Sequence, residues 1–114
     1  MNIQVKLKTY ELQNTGKNLQ NIKQNLDALD LDEISIGFYS FVLDDLCVKL
    51  LSKSFTIKKK EFNFIISPAG IYVIYTLWLL MPKTVYADLH IMRKIIAEID
   101  KNGIRYANIF NSNF

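Results

Sequence analysis

The sequence is short of the residues that tie a chain to redox, metal or phosphate chemistry. It has one cysteine, Cys47, so no internal disulfide can form and no oxidising compartment is implied. It has one histidine, His90, with Asp88 two residues away and no cluster of further ligands. A metal site needs several convergent groups, so His90 reads as a helix-surface or partly buried residue. Four glycines and two prolines are present, and no glycine-rich loop can cradle a phosphate. No nucleophile–base motif or paired-carboxylate signature stands out. Asp44-Asp45 and Asp30, Asp32 and Glu33 read as caps and solvated turns. Neither an enzyme nor a cofactor or metal is expected. The first ten residues carry Lys6 and Lys8 on an alternating pattern rather than the apolar core of a signal peptide, so no leader is expected.

What is present is a chain of 114 residues, half of them hydrophobic and 22% charged, the composition of one folded domain spanning 1–114. The formal net charge is +3. That excess suits a polyanionic partner without identifying one. Of the 14 basic residues only Arg93 and Arg105 are arginines. Lys, Asn, Ile, Phe and Tyr are abundant, and their codons are AT-rich. The source expected from this is an organelle, foremost a mitochondrion, or a reduced bacterium.

Ile3, Val5 and Leu7 alternate with Gln4, Lys6 and Lys8, which predicts a half-buried strand. Asn14-Thr15-Gly16 breaks the pattern. Leu19, Ile22, Leu26 and Leu29 then recur at helical spacing and predict an amphipathic helix. Ile34, Ile36 and Phe38 alternate and predict a second strand. Leu46, Leu50 and Leu51 suggest a short helical excursion from Asp44 to Lys53, and strand character resumes from Phe55 to Ile66. After the turn residues Ser67-Pro68-Ala69-Gly70, the β-branched and aromatic run from Ile71 to Leu80 predicts a long strand. Pro82 suits the first position of a helix whose apolar stripe is Val85, Leu89, Met92, Ile96 and Ile99. Asn102-Gly103 stops it, and Ile104 to Ile109 reads as a last strand. The order is β-α-β-β-α-β. It predicts a ferredoxin-like α+β fold with an antiparallel sheet and two helices on one face.

Phe64 to Met81 is 18 residues without a charge, close to the roughly 20 a membrane helix needs. Pro68 and Gly70 interrupt it near its start, and the remainder is too short to span. A hairpin is therefore expected rather than a membrane anchor through 64–81, which stands as the alternative. Both faces of the expected strand are apolar: Tyr72, Ile74, Thr76 and Trp78 on one, with Tyr75 and Leu77 among those on the other. Tyr72, Ile74, Tyr75, Leu77 and Trp78 are accordingly expected at a protein interface. Base stacking by Tyr72, Tyr75 and Trp78 is the lesser reading.

Lys58, Lys59 and Lys60 form the one dense cationic run. Adjacent cations neutralise phosphates and make affinity salt-dependent, whereas the plainer reading is a solvated charge run. Lys6 and Lys8 share the wet face of the first strand, and Lys53 and Lys83 extend the candidate patch.

Several segments, in order, resemble the small-subunit ribosomal protein S-ten family of bacteria and organelles. They are Ile3-Gln4-Val5-Lys6-Leu7-Lys8-Thr9-Tyr10, Thr56-Ile57-Lys58-Lys59-Lys60 through Ser67-Pro68, Pro82-Lys83-Thr84-Val85, and Gly103-Ile104-Arg105-Tyr106-Ala107. The family's histidine after Ser-Pro is Ala69 here, its hairpin tip is shortened, and residues 41–54 stand as an insertion. The resemblance implies a structural constituent of the head of the small ribosomal subunit in organellar translation. It would bind ribosomal RNA and neighbouring ribosomal proteins, with no DNA contact and no membrane insertion. A free RNA-binding regulator of the same fold is a further alternative.

Overall fold

The computed structural model describes residues 2–56 and 60–102. Strand β1 (Ile3–Lys8) runs directly into helix α1 (Thr9–Gln24), and a single 3-10 turn (Leu26–Ala28) leads toward helix α2 (Glu33–Thr56). Strand β2 (Glu61–Ile66) is followed by helix α3 (Pro68–Leu80), a 3-10 turn (Lys83–Val85) and helix α4 (Leu89–Lys101).

The strand expected at the start is there, with Ile3, Val5 and Leu7 buried and Gln4, Lys6 and Lys8 exposed. It pairs with β2 in antiparallel register, from Ile3 opposite Ile66 to Lys8 opposite Glu61. Within the described residues the rest of the expected ferredoxin-like sheet is not formed. Among the described residues the sheet has two strands, and the remaining regular structure is helical, with four α-helices. The last expected strand, 104–109, lies outside the described residues, as do Lys58 and Lys59.

Three local causes account for the correction. At the first helix, Asn14-Thr15-Gly16 does not break the chain. The Thr15 hydroxyl donates to the Glu11 carbonyl at 2.7 Å, so its polar group is satisfied inside the helix. The Glu11 carboxylate accepts the Lys8 N–H at 2.8 Å, half of a capping box that starts the helix seven residues before Gly16. The helix ends sooner than expected, and Leu26 is buried from the 3-10 turn.

At Ile34-Ser35-Ile36-Gly37-Phe38, alternation gives way to helix because Asp32 caps it. Its carboxylate accepts the Ser35 N–H at 2.6 Å, a bond that also holds the carboxyl below the usual range. The helix then continues through 41–54, which form the body of α2. Tyr39, Val42, Leu43, Leu46 and Leu50 recur at three- and four-residue spacing and are all buried.

At Ser67-Pro68, the residues expected to turn a hairpin start a helix instead. The Ser67 hydroxyl accepts the Gly70 N–H at 3.3 Å, and Pro68 occupies the first helical position, where no N–H is needed. Ile71, Val73, Ile74 and Leu77 are then fully buried. A continuous apolar run has no period, so tertiary packing decides between strand and helix. The later helix starts at Leu89 rather than Pro82, because Asp88 caps it by accepting the Ile91 N–H at 3.2 Å. It stops at Asn102, as expected.

α1 and α4 pack on β1, α3 packs on β2, and α2 packs on α1 and α3. α1 and α4 run in opposite directions, for Asn18 meets Asp88 while Glu11 meets Lys94. α1 and α2 do likewise, with Lys23 bonded to Asp44 at 2.8 Å near the start of their contact. One core joins all the elements.

Candidate docking face

α2 carries two apolar faces. The inner one, described above, is core. The outer one presents Ile34, Phe38, Phe41 and Val48 at spacings of four, three and seven residues, which places them along a single line on the helix. Ile34 is 86% exposed and Phe41 is 73% exposed. Asp45 is the one charge within the line, and Lys49 neutralises it from the next turn at 3.0 Å. Leu51 is 58% exposed beside the line's far end. A soluble surface ordinarily breaks up such a row, because each exposed apolar side chain forgoes the hydrophobic gain of burial.

The line runs into a groove of about 330 Å³ between α1 and α2. Leu12, Gly16, Cys47, Val48, Leu50 and Leu51 form its apolar walls, with Gln13, Lys17 and Gln20 at its polar side. Gly16 borders open space, for a Cβ there meets nothing within 4 Å. Burial, and secondarily Asp44, push the Cys47 thiol above its ordinary value, which makes it a poor nucleophile.

The residues expected from sequence fall into separate places. Lys6 and Lys8 lie on the exposed face of the ribbon, opposite Asn63 and Glu61. Lys60 is exposed just before β2, and its carbonyl accepts the Thr9 N–H at 3.2 Å. Lys53 is exposed near the end of α2. Lys83 does not join them. Its Nζ sits 3.3 Å above the centre of the Trp78 ring and donates to the Trp78 carbonyl. Desolvation, and then Arg93, hold the Lys83 pKa below its ordinary value.

Of the expected interface residues, Ile74 and Leu77 are fully buried in the chain's own core. Tyr72, Tyr75 and Trp78 are half-buried against it. Tyr72 lies 6.5 Å from Tyr39 and Trp78 lies 5.2 Å from Tyr86, ring centre to ring centre. The Tyr72 and Trp78 rings are engaged within the chain rather than presented as a row. The exposed row is on α2, where reading 34–38 as a strand concealed it. Its signal was present in the helical spacing of Ile34, Phe38, Phe41 and Val48.

His90 is exposed in the first turn of α4. Among the described residues no three His, Cys, Asp or Glu side chains gather to hold a metal ion. Among them, too, no helix is long and apolar enough to cross a membrane, and residues 64–81 divide between β2 and α3. Neither the known family models, nor the curated proteins, nor the solved structures include a match to the chain.

Proposed function

We propose that the chain is a non-catalytic assembly module that binds a protein partner through the outer face of α2. The observation carrying this reading is the helical line Ile34, Phe38, Phe41 and Val48, interrupted by one charge, Asp45, that Lys49 neutralises. With Leu51 these side chains expose on the order of 500 Å² of apolar surface, the size of patch that marks an interaction site. Aromatic residues near the centre of such a patch supply most of its binding energy.

The test is gel filtration of native-cell extract, tracking the tagged chain and its Phe41→Lys variant. The wild type elutes above monomer size, and the variant elutes later while keeping its helical circular dichroism. Elution of both at monomer size overturns the reading.

A second reading is favoured by Lys6 and Lys8, which project side by side from the exposed face of the ribbon. In it, these lysines contact ribosomal RNA within the small subunit of an organelle, in line with the resemblance of the short motifs. Glu61 opposite Lys8 dilutes the charge, and the fold no longer supports the family. Co-sedimentation with small ribosomal subunits that weakens with salt, and weakens further in Lys6→Gln with Lys8→Gln, is the expected result. Its absence at low salt removes this reading.

A further inference from the structure

We infer that, independently of the docking face proposed above, the groove between α1 and α2 binds a single-tailed amphipathic anion, of the class of a medium-chain acyl carboxylate. Its volume of about 330 Å³ lies within the range of sites that take small molecules, about 300–1,000 Å³. Leu12 of α1 and Val48, Leu50 and Leu51 of α2 wall it with hydrocarbon. A polar ligand gives up its hydration against such walls without replacement, so the body of the occupant is apolar. The polar side chains stand along one edge. Gln13, Lys17 and Gln20 follow one another there at helical spacing on α1 and span about 10 Å, the extended length of a chain of about eight carbons.

The sign of the head group follows from the charges around the groove. Neither α1 from Leu12 onward nor α2 from Leu46 onward contains an acidic residue. The acids just before that stretch of α2 are already paired, Asp44 with Lys23 at 2.8 Å and Asp45 with Lys49 at 3.0 Å. Lys17 enters none of the ion pairs among the described residues. An exposed ammonium beside hydrocarbon walls favours an anionic head on an apolar tail. The amides of Gln13 and Gln20, about one turn away on either side, add neutral donors along the same edge. A neutral tail gains little from this edge, and a cationic head is repelled by it. Cys47 lies in the apolar wall and takes no chemical part. As the sole cysteine of the chain, its thiol reports whether the groove is filled.

NMR titration of the purified, nitrogen-labelled chain with octanoate, octanol and octylammonium tests this. Octanoate is expected to saturate with a dissociation constant of about 1 mM or below, the value for a ligand of about ten heavy atoms at ordinary efficiency. The shifts centre on the amides of Gly16, Lys17, Cys47 and Val48, and alkylation of Cys47 by iodoacetamide slows in step with occupancy. Octanoate binds at least about fivefold tighter than octanol, and octylammonium binds weakest. Lys17→Glu weakens octanoate by about tenfold and leaves octanol within about twofold. Gly16→Leu, which puts a side chain into open space at the groove, removes binding of all three while circular dichroism keeps its helical form. Phe41→Lys alters the docking face outside the groove and leaves octanoate binding unchanged, so the two sites fail or stand separately. Absence of saturation at about ten times the expected constant overturns the site. Equal affinity for octanoate and octanol, or shifts spread evenly over the chain, overturns the anionic class or the location.

Discussion

The side-chain amide of Asn18 holds both backbone groups of Asp88. Its Nδ2 donates to the Asp88 carbonyl at 3.0 Å, and its Oδ1 accepts the Asp88 N–H at 2.8 Å. Asn18 is fully buried on α1, and Asp88 caps α4, so one side chain sets the position at which the last helix begins. Asn14 adds a bond to the Asp88 carboxylate at 3.2 Å. Replacing Asn18 by leucine keeps the volume but leaves the part-buried Asp88 N–H without its partner and the Asp88 carbonyl with the Met92 N–H alone. The expected loss is about 2–4 kcal/mol in urea unfolding. Asn18→Asp loses the donor, sets a carboxylate against a carbonyl, and is expected to be worse at neutral pH.

The pair of Glu11 with Lys94 is asymmetric. The Glu11 side chain is almost wholly buried, whereas a third of Lys94 is exposed, and their Nζ–Oε1 distance is 3.1 Å. Removing the cation strands a buried carboxylate that keeps only the Lys8 N–H, while removing the anion leaves an ammonium that reaches water. Lys94→Met is therefore expected to cost about 2–4 kcal/mol and Glu11→Gln about 1–2 kcal/mol. The double variant is expected to lose less than the sum of the two, as read from a double-mutant cycle.

The three helical glycines in the described residues are expected to respond with different signs. A Cβ on Gly70 lies 2.8 Å from Cγ2 of Ile66 and 3.4 Å from Cδ2 of Leu46. Both neighbours are buried, and Ile66 is β-branched, so they yield little. Gly70→Ala is expected to destabilise by about 1–2 kcal/mol, the overpacking cost exceeding the helix gain. Ile66→Leu, which lacks that methyl, recovers part of it. Gly16→Ala and Gly37→Ala meet nothing within 4 Å and need no unusual backbone angle. Each is expected to stabilise by about 0.5–1 kcal/mol in thermal or urea unfolding.

Burial pushes the Tyr86 hydroxyl up to about 12 from its ordinary value near 10. Its O–H faces the Leu77 carbonyl at 3.4 Å, and Trp78 lies against its ring. Below pH 10 the folded and unfolded chains both keep this proton, and stability is unaffected. Between about pH 10 and pH 12 the unfolded chain releases it and the folded chain does not, so stability falls by about 2–3 kcal/mol. Tyr86→Phe removes this contribution. The expected result is a shallower alkaline loss of urea stability in the variant than in the wild type.

The elements legible from sequence were those whose two sides differ in polarity. β1 shows its alternation plainly because Gln4, Lys6 and Lys8 mark a wet face. α4 shows its stripe because Arg93 and Glu98 stand between buried Met92, Ile96 and Ile99, and Asp100 follows them. α3 has no such contrast. Pro68 and Ser67 serve a turn and a helix start equally well, and only the bond from the Gly70 N–H decides between them. The start of α2 misleads for a different reason. Ile34 and Phe38 lie on its outer face while Ile36 packs toward the core. Two apolar faces sampled over five residues imitate the alternation of a strand. The same feature concealed the candidate docking face, whereas the wet face of β1 carrying Lys6 and Lys8 was legible.

The pairing of β1 with β2 also bears on how the chain folds. Lys8 and Glu61 adjoin in the ribbon, yet α1 and α2 lie between them, so more than fifty residues must be gathered before the first bond of that ladder can close. The loop-closure entropy falls on a sheet of only two strands, which is marginal on its own. The antiparallel pair α1–α2 needs no such closure. Its collapse brings the end of α2 back toward the start of α1, and with it β2 toward β1. The helical pair thus acts as the template, and the ribbon zips last. Mutations in the ribbon should therefore mainly speed unfolding, while mutations between α1 and α2 slow folding.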